Sequence, residues 1–433
     1  MELTIHRGSR EVGGNCVEVQ SGDTRIVLDL GMPLFDAYRQ PLDTFFLKRT
    51  SKEDLRAKGI LPNVSGLFDD GPAPDAILLS HAHLDHTGLL SYSSAETPIW
   101  ASRGTSKMML AGSLFAGQVE LPRERFREIE PEKPVQIGDF TITGYSVDHS
   151  IYGCMAFIIE ADGKHLLYSG DLRMHGRKPG MQQLLIKVCQ EKLIDALLME
   201  GTHFGFADGN PANEYELEAK ITELVRSCDS LVLASFSPQH VDRLVAFIRA
   251  AKKTGRTFVV DVYTAFIMHL LKTELPLPQP EQNGFVRVYV PKLLRSTAQP
   301  KGRISQIERF RDAEITLEEI RQAPEKFLMI FRASMLDDFD GEFPSGVSCL
   351  YSRWHGYLDQ PDWLRTKEKL ANANGFLHDV HTSGHILSAD INRLVESIAP
   401  KTVIPIHTFE PEQFQQRFSN VRVLTDGEAF DVR

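Results

Sequence analysis

The first part of the chain alternates apolar and polar residues in short runs that end at glycine-containing turns. A period of two is typical of half-buried strands. The segments "CVEVQSGDTRIVLDLG" and "CMAFIIEADGKHLLY" each hold two such runs around a turn, "SGD" in one and "ADGK" in the other, and therefore predict hairpins. Up to about residue 200, the pattern predicts a sheet-rich region with few helices.

The pattern changes between residues 205 and 375. The segments "NEYELEAKITELVRSC" and "HVDRLVAFIRAAKKTG" place apolar residues at helical spacing, and each is followed by an apolar run typical of a fully buried strand. Alternating helices and buried strands predict a parallel sheet that is covered on both faces. A further helix, a proline and the buried run "TVIPIHT" then extend the pattern to His407.

Composition narrows the class of protein. A chain of 433 residues is too long for one ordinary core, which predicts two domains or one domain with a large insertion. The net charge of −10 gives no broad electrostatic reason to bind nucleic acid or an anionic membrane, so such a partner would require a local basic patch. The five cysteines never form a CxxC pair, and no apolar stretch suits a signal peptide or a membrane span. The sequence therefore predicts a cytoplasmic protein with free thiols.

Candidate chemistry concentrates in "SHAHLDHTGLL", directly after the buried run "DAILL". His81 and His83 lie two positions apart, and residues at that spacing in an extended segment project to the same side, so both imidazoles can reach one ion. Asp85 and His86 follow where a helix could begin, and would point towards a neighbouring second ion. Imidazole with carboxylate suits zinc best, with manganese or iron as competitors. A lone histidine would more often be structural, but this density at a strand end predicts a metal site.

Three further candidate ligands also close predicted strands: His149, Asp171 and His407. An aspartate after "YSG" can place one oxygen on each of two ions, and bridged ions can share a water whose pKa falls towards neutrality. Taken singly, each of these residues could be a satisfied polar group at a loop entry. Together with the first cluster they predict a dinuclear site.

This order of motifs, HxHxDH, a later histidine, an aspartate after glycine and a final histidine, resembles the metallo-β-lactamase superfamily. The resemblance implies an α/β fold, an αββα sandwich that carries two divalent ions, zinc first and manganese second, at one edge of its sheets. It also implies three ligands for one ion, three for the other, and one bridging aspartate: His81, His83 and His149; Asp85, His86 and His407; and Asp171.

The segment "HTSGHILSADINRLVESIAPKTVIPIHT" resembles the terminal signature of the β-CASP branch, which includes ribonuclease J and messenger-RNA 3'-end processing endonucleases. The segments "GSREVGGNCVEV", "LLMEGTH" and "ASMLDDFD" resemble other motifs of that branch. The resemblance implies a metallo-β-lactamase domain over residues 1–204 and 376–433, with an inserted β-CASP α/β domain over residues 205–375 and substrate in the cleft between them.

The activity that the branch implies is that of a ribonuclease, which would hydrolyse RNA, exo or endo, through a dinuclear metal-bound hydroxide. A histidine at the last ligand position, here His407, is typical of RNA-acting members and favours single-stranded RNA as the partner. The alternatives are a small-molecule ester, thioester or lactone hydrolase of the same superfamily, a DNA-acting β-CASP nuclease, and a non-catalytic subunit. A homo-oligomer also stays open.

Three residues are candidates for catalysis. Asp85 would orient the nucleophile, and His385 would contact the phosphate or protonate the leaving oxygen, unless it only caps a helix. Glu200 would fix one tautomer of a ligand imidazole or of His385, unless it only forms an ion pair. Glu200 also departs from the branch, because Gly201 separates it from Thr202, where the branch has an acidic residue followed directly by Ser or Thr.

Five residues at turns are candidates for binding the RNA backbone through hydroxyl, backbone N–H or guanidinium groups: Ser383, Gly384, Ser235, Ser237 and Arg332. Ser237 is better explained as a helix N-cap. Arg353 and Trp354 could stack on a base, although such mixtures more often pack within loops. The basic stretch from Lys292 to Arg303 could attract the polyanion, or could be a solvated face.

Overall fold

The structure is a computed structural model that describes residues 1–36, 39–42, 50–204, 212–280, 284–298 and 302–433. Two compact units divide the chain. Unit 1 comprises Met1–Leu110, Gln118–Asn210 and Ser383–Arg433, and unit 2 comprises Ala111–Gly117 and Pro211–Thr382. The domain bounds expected from the sequence, 1–204, 205–375 and 376–433, stay a prediction.

The strands of the described residues are numbered in chain order: β1 Glu2–Arg7, β2 Cys16–Ser21, β3 Thr24–Leu28, β4 Ala76–Leu79, β5 Ile99–Ala101, β6 Phe126–Glu128, β7 Pro134–Ile137, β8 Phe140–Ser146, β9 Met155–Ala161, β10 Lys164–Tyr168, β11 Ala196–Glu200, β12 Val232–Ser235, β13 Thr257–Asp261, β14 Val286–Tyr289, β15 Phe327–Ile330, β16 Ser348–Tyr351, β17 Phe376–Asp379, β18 Thr402–Ile406 and β19 Ala429–Asp431.

The helices are numbered in the same way: α1 Lys52–Ala57, α2 Leu84–Thr87, α3 Arg103–Phe115, α4 Pro179–Lys192, α5 Glu214–Ser227, α6 Val241–Thr254, α7 Val262–Leu270, α8 Lys292–Ala298, α9 Ile304–Glu308, α10 Leu317–Gln322, α11 Pro361–Asn372, α12 Ser388–Ile398 and α13 Glu412–Gln415. In the part of the chain that the structure describes, none of them combines the length and the apolar character needed to cross a membrane.

Unit 1 contains two β-sheets. The first has the strand order β19-β1-β2-β3-β4-β5-β6, and the second has the order β18-β11-β10-β9-β8-β7. Both hairpins predicted from the sequence are confirmed, since β2 pairs antiparallel with β3 and β9 pairs antiparallel with β10. Parallel pairing joins β3, β4, β5 and β6 in the first sheet, and β10, β11 and β18 in the second.

The core of unit 1 lies between these two sheets. Alternate residues of β4 show how the first sheet is covered, because Leu78 packs in the cluster shared with the second sheet, whereas Ile77 packs in a cluster on the opposite face with Leu55 of α1. All four residues of β4 are consequently buried. Burial on both faces explains why "DAILL" is a continuous apolar run.

The sequence pattern missed two long helices in the first part of the chain, α3 and α4. Only Leu185 and Cys189 of α4 are buried, so its apolar periodicity is weak. Its polar composition is consistent with a helix that packs against α12 and exposes most of its remaining surface.

Unit 2 contains a six-stranded, fully parallel sheet in the order β14-β13-β15-β12-β16-β17. The predicted alternation of helices and buried strands is confirmed here: α5 precedes β12, and α6 connects β12 to β13. Asn213 starts α5 with a capping box that involves Glu216, and Asp261 caps α7 through the backbone N–H of Thr264. The carboxyl end of β13 therefore leads directly into the N-terminus of α7.

Candidate metal centre

The candidate ligands of unit 1 follow strands whose carboxyl ends lie at the same edge of their sheets. Asp171 follows β10 and His407 follows β18, and both strands pair parallel with β11, which ends at Glu200. His81 follows β4 in the other sheet, and Gly170 lets the two segments approach closely, because a Cβ there would lie 2.8 Å from Ser80 Cβ. The two sheets thus bring distant parts of the sequence to one place.

The structure gathers all seven predicted ligands into two groups, whose ligand atoms lie within 4.8 Å of one another in each group. We call the first group, His81, His83 and His149, the histidine triad. We call the second group, Asp85, His86, Asp171 and His407, the mixed cluster. Asp85 and His86 lie within α2, earlier than the helix start expected from the sequence.

Asp171 lies at the centre of both groups. Its Oδ2 atom is 3.1 Å from His86 Nε2 and 3.6 Å from His407 Nε2. The same oxygen is 3.7 Å from His81 Nε2 and 3.9 Å from His149 Nε2. Its other oxygen, Oδ1, is buried without a hydrogen-bond partner among the described residues. Because Oδ2 faces imidazoles of both groups, this carboxylate would help to hold an ion at either of them.

A buried carboxylate that the sequence analysis missed holds the imidazoles on one side. Asp29 Oδ2 lies 2.8 Å from His86 Nδ1, and Asp29 also accepts hydrogen bonds from the hydroxyl groups of Ser80 and Tyr168, both at 2.7 Å. Ser80 Oγ is in turn 3.0 Å from His81 Nδ1. These contacts engage Nδ1 of both histidines and orient Nε2 towards the cluster.

On the other side of the centre, Nδ1 of two further histidines is also engaged outside the cluster. His149 Nδ1 lies 2.5 Å from the carbonyl oxygen of Gly384, and His407 Nδ1 lies 2.9 Å from the hydroxyl oxygen of Thr202. His407 also has a positive φ of 55°, in the left-handed region, as does Asp29 at 56°. Such backbone conformations cost energy in residues other than glycine and occur often at functional sites.

Electrostatics separates the two groups. Burial, followed by the neighbouring imidazoles, lowers the pKa of His81 and His149 well below the usual value, and burial lowers the pKa of His83 to about 4. Burial acts in the same direction on His86, but Asp171 and Asp29 outweigh it and raise the His86 pKa well above the usual value. The triad is therefore neutral at neutral pH, which is the form of imidazole that binds metal.

The donor set fits divalent ions. It combines the neutral imidazoles of the histidine triad with carboxylates. Burial alone would raise the pKa of Asp85, but His86 and His407 outweigh it and lower that pKa to about 2. Asp85 is thus ionised, and Asp171 Oδ1 offers an unpaired buried acceptor. Carboxylates of this density require positive charge in contact with them.

Glu200 and His385 form a pair beside the mixed cluster. His385 Nδ1 lies 3.2 Å and 3.3 Å from the two oxygens of Glu200, a fully buried residue. Glu200 also accepts hydrogen bonds from the backbone N–H of Leu172 at 3.0 Å and from the Thr202 hydroxyl at 2.8 Å. Burial lowers the pKa of His385, but Glu200 and then Asp171 outweigh it and raise that pKa to about 9.

The turn that carries His385 is held by basic side chains that the sequence analysis missed. His203 Nε2 lies 2.7 Å from Ser383 Oγ, and His175 Nε2 lies 2.8 Å from the Ser383 carbonyl oxygen. The Ser383 hydroxyl oxygen accepts the His385 backbone N–H at 3.0 Å. Gly384 packs so closely that a Cβ there would lie 2.4 Å from Ser150 Oγ. Ser383 and Gly384 thus shape the turn. That they bind substrate stays a prediction.

Three other predicted contacts lie at the carboxyl ends of strands in unit 2. Arg332 Nε donates to Asp261 Oδ2 at 2.6 Å, whereas Arg332 Nη2 and Ser235 Oγ are buried without a hydrogen-bond partner among the described residues. Ser237 is not the N-cap of α6, because that position belongs to His240, whose backbone N–H donates to the Ser237 carbonyl oxygen. Ser237 lies three residues before that N-cap. Its interpretation as a cap rested on the general preference of serine for N-cap positions and is wrong.

The other candidates for RNA binding, the basic stretch and Arg353, make contacts within unit 2. Lys292 pairs with Asp340 at 3.1 Å and Arg295 pairs with Glu314, so these two cations of the basic stretch are matched by acids within unit 2. The Arg353 guanidinium lies 4.9 Å from the centre of the Tyr357 ring, which is loop packing of the kind anticipated.

Comparison with known sequences adds independent information. The family model described as Beta-lactamase superfamily domain matches residues 43–204. The ribonuclease J of Mycolicibacterium smegmatis is 22% identical over 426 residues, which cover 94% of this chain and 68% of that protein. The RNase J-like protein of Methanocaldococcus jannaschii is 25% identical over 276 residues, which cover 60% of this chain and 58% of the relative.

Comparison with solved structures extends the likeness to the whole chain. The crystal structure of a protein of unknown function from Enterococcus faecalis V583 superposes with a TM-score of 0.77, at 21% identity, and covers 99% of both chains. At that identity the likeness concerns the fold. It confirms the predicted α/β class, and the family match identifies a Beta-lactamase superfamily domain within residues 43–204.

Proposed function

We propose that this chain, which belongs to the metallo-β-lactamase superfamily and is similar along most of its length to ribonuclease J, is a metal-dependent nuclease that hydrolyses RNA. The family-model match and the ribonuclease J relatives support a hydrolase, and we assign it to the β-CASP, ribonuclease J-like branch. The observation that carries the choice of a phosphodiester is the Glu200–His385 pair next to seven converging candidate ligands.

The candidate ligands would hold two divalent ions, for which zinc is the best chemical match and manganese the second. The histidine triad would bind one ion, Asp85, His86 and His407 the other, and Asp171 would contact both. Such ions supply a water of lowered pKa and neutralise charge on the phosphate. The support is the tautomer control described above, in which Nδ1 of four histidines is engaged elsewhere.

The protein's own groups have separate tasks in the proposed reaction. Asp85 would orient the attacking water, since its carboxylate faces the mixed cluster, 3.3 Å from His407 Nε2. His385 would donate through Nε2 to the phosphate or to the leaving oxygen, because Nδ1 is directed at Glu200. Glu200 would hold that imidazole in place. The imidazole of His385 is 23% exposed, so a polymer can approach it.

The proposed contacts with the RNA backbone are Ser383 and Gly384 in unit 1, and Ser235, Ser237 and Arg332 in unit 2. In unit 2 the support is unequal. Ser235 Oγ and Arg332 Nη2 have donor capacity that no described residue uses, whereas Ser237 is supported only by its place at a strand end. Donors at the carboxyl ends of parallel strands are well placed for an anionic ligand.

The proposed compartment is the cytoplasm. All five cysteines are buried free thiols, as expected for a protein made in a reducing environment. A homo-oligomer stays a prediction, and light scattering of the purified protein at several concentrations would test it.

The proposal is tested by incubating wild-type protein loaded with zinc or manganese with RNA and DNA of matched sequence, labelled at the 5' end. We expect cleavage of RNA, and its loss in Asp85→Ala. Lys187→Ala is a matched control, because that exposed side chain only pairs with Glu191 on α4. Mononucleotides would identify 5' exonuclease action, and internal fragments would identify endonuclease action. Intact RNA in the presence of two bound ions would overturn the proposal.

A further inference from the structure

The hydroxyl group of Thr202 is the meeting point of three functional side chains. Its oxygen lies 2.8 Å from Glu200 Oε2, 2.9 Å from His407 Nδ1 and 3.2 Å from His385 Nδ1. In the sequence Thr202 is marked only by its place in "LLMEGTH", two positions after Glu200.

Hydrogen-bond capacity determines the direction of these contacts. An ionised carboxylate only accepts, so the single hydroxyl hydrogen of Thr202 points to Glu200. The hydroxyl oxygen can then accept the N–H of an imidazole, and His407 Nδ1 is the nearer of the two. A proton held on Nδ1 leaves the Nε2 lone pair of His407 available.

The available nitrogen faces the mixed cluster. His407 Nε2 lies 3.3 Å from Asp85 Oδ2 and 3.6 Å from Asp171 Oδ2. The contact with Thr202 holds the ring in this orientation.

Gly201 allows Thr202 to reach this position. A Cβ at Gly201 would lie 2.5 Å from the Phe414 ring and 3.1 Å from Thr408 Cβ. Only glycine fits there without rearrangement, and its backbone N–H donates to the Ile406 carbonyl oxygen at 3.1 Å. Gly201 thereby holds the segment beside β18, and the Thr202 hydroxyl points back towards Glu200.

We propose that Thr202 is a positioning residue that carries the influence of Glu200 to His407 and fixes the tautomer in which His407 binds a metal ion. The inference rests on the proposed metal site. An independent contact of the same design exists on the other side of the centre, where the Ser80 hydroxyl lies between Asp29 Oδ2, at 2.7 Å, and His81 Nδ1, at 3.0 Å.

The competing assignment is that the Thr202 hydroxyl serves His385. That imidazole already contacts both oxygens of Glu200 directly, so it has less need of an intervening group. The two assignments differ in what they predict for metal binding, because His385 is outside the seven candidate ligands.

The test titrates full-length protein with Co²⁺, whose visible absorption reports the ligand field, and measures its affinity by competition with a chelator. Thr202→Val keeps the shape but removes the hydroxyl, Thr202→Ser keeps the hydroxyl, and His385→Ala removes the other imidazole. We expect two cobalt ions in the wild type, one of them bound about 10- to 100-fold more weakly in Thr202→Val. Thr202→Ser and His385→Ala should bind as the wild type does.

Each outcome decides one question. Unchanged cobalt affinity in Thr202→Val would overturn the inference, and so would an equal loss in Thr202→Ser, because the hydroxyl would then not be the cause. An equal loss in His385→Ala would also overturn it. A wild-type protein that binds no cobalt would instead refute the proposed metal site. Circular dichroism checks folding, and Thr202→Ala replaces the valine variant if valine prevents it.

Discussion

The two units each bring polar side chains to the carboxyl ends of parallel strands, but to different effect. In unit 1, imidazoles and carboxylates face one another around Asp171, and the outer nitrogen of four histidines is held by a separate acceptor. In unit 2, Arg332 and Asp261 satisfy each other, and Ser235 Oγ and Arg332 Nη2 are left over. The same architecture therefore suits cations at one edge and an anion at the other, depending on the residues it presents.

The largest effect is expected from removing the carboxylate at the centre of the metal site. Asp171→Ala should lower RNA cleavage by about 10³-fold or more, because it removes the one group that faces both sets of ligands. Metal analysis after gel filtration should show fewer than two ions per chain. Full activity of Asp171→Ala with two bound ions would contradict the proposed role of Asp171 in unit 1.

His385→Ala should reduce the turnover number by about 10²-fold while leaving the metal content unchanged, because its proposed role is proton donation or phosphate contact. Steady-state kinetics on a defined RNA measures the effect. A loss of metal in this variant would move His385 from catalysis to ligand binding.

Metal removal should destabilise the protein. Each ion present at 100 times its dissociation constant stabilises the folded state by about 2.7 kcal/mol, and a chelator removes that contribution. Thermal unfolding of wild type and Asp171→Ala, each with and without chelator, measures it. A chelator that shifts both proteins equally would show that the stabilising ions bind elsewhere.

The smallest effect is expected in unit 2. Arg332→Ala leaves the buried Asp261 carboxylate without its partner, which should cost about 2 kcal/mol of unfolding free energy. The paired variant Asp261→Asn with Arg332→Gln should recover part of that loss. Urea titrations measure both, and RNA binding that weakens in both variants would support the proposed backbone contact. Binding unchanged in both would remove it.

Local patterns predicted the strands and the clustering of the candidate ligands, whereas the αββα sandwich was predicted from the resemblance to the superfamily. The run "DAILL" is buried on two faces, and His81 and His83 follow it directly, so strand, strand end and chemistry could be inferred within about ten residues. The helix α4 could not, since it buries only two side chains.

The residues that orient the ligands could not be predicted in the same way. Tyr168 lies in the "YSG" segment and Thr202 in "LLMEGTH", but neither segment shows which ligand these side chains contact. The contacts of Asp29, Tyr168 and Thr202 depend on which strands pair and in what register. His203 and His175 likewise became interpretable only once the Ser383 turn was placed.

The contact between Asp85 and His407 spans 322 positions of the chain. Synthesis runs from the amino terminus, so the histidine triad exists long before the last member of the mixed cluster emerges. Closing a loop of that length costs entropy, which the pairing of β18 with β11 and of β19 with β1 helps to offset. Maturation of the centre is therefore a late event, and a nascent chain cannot assemble the complete ligand set until residue 407 has been made.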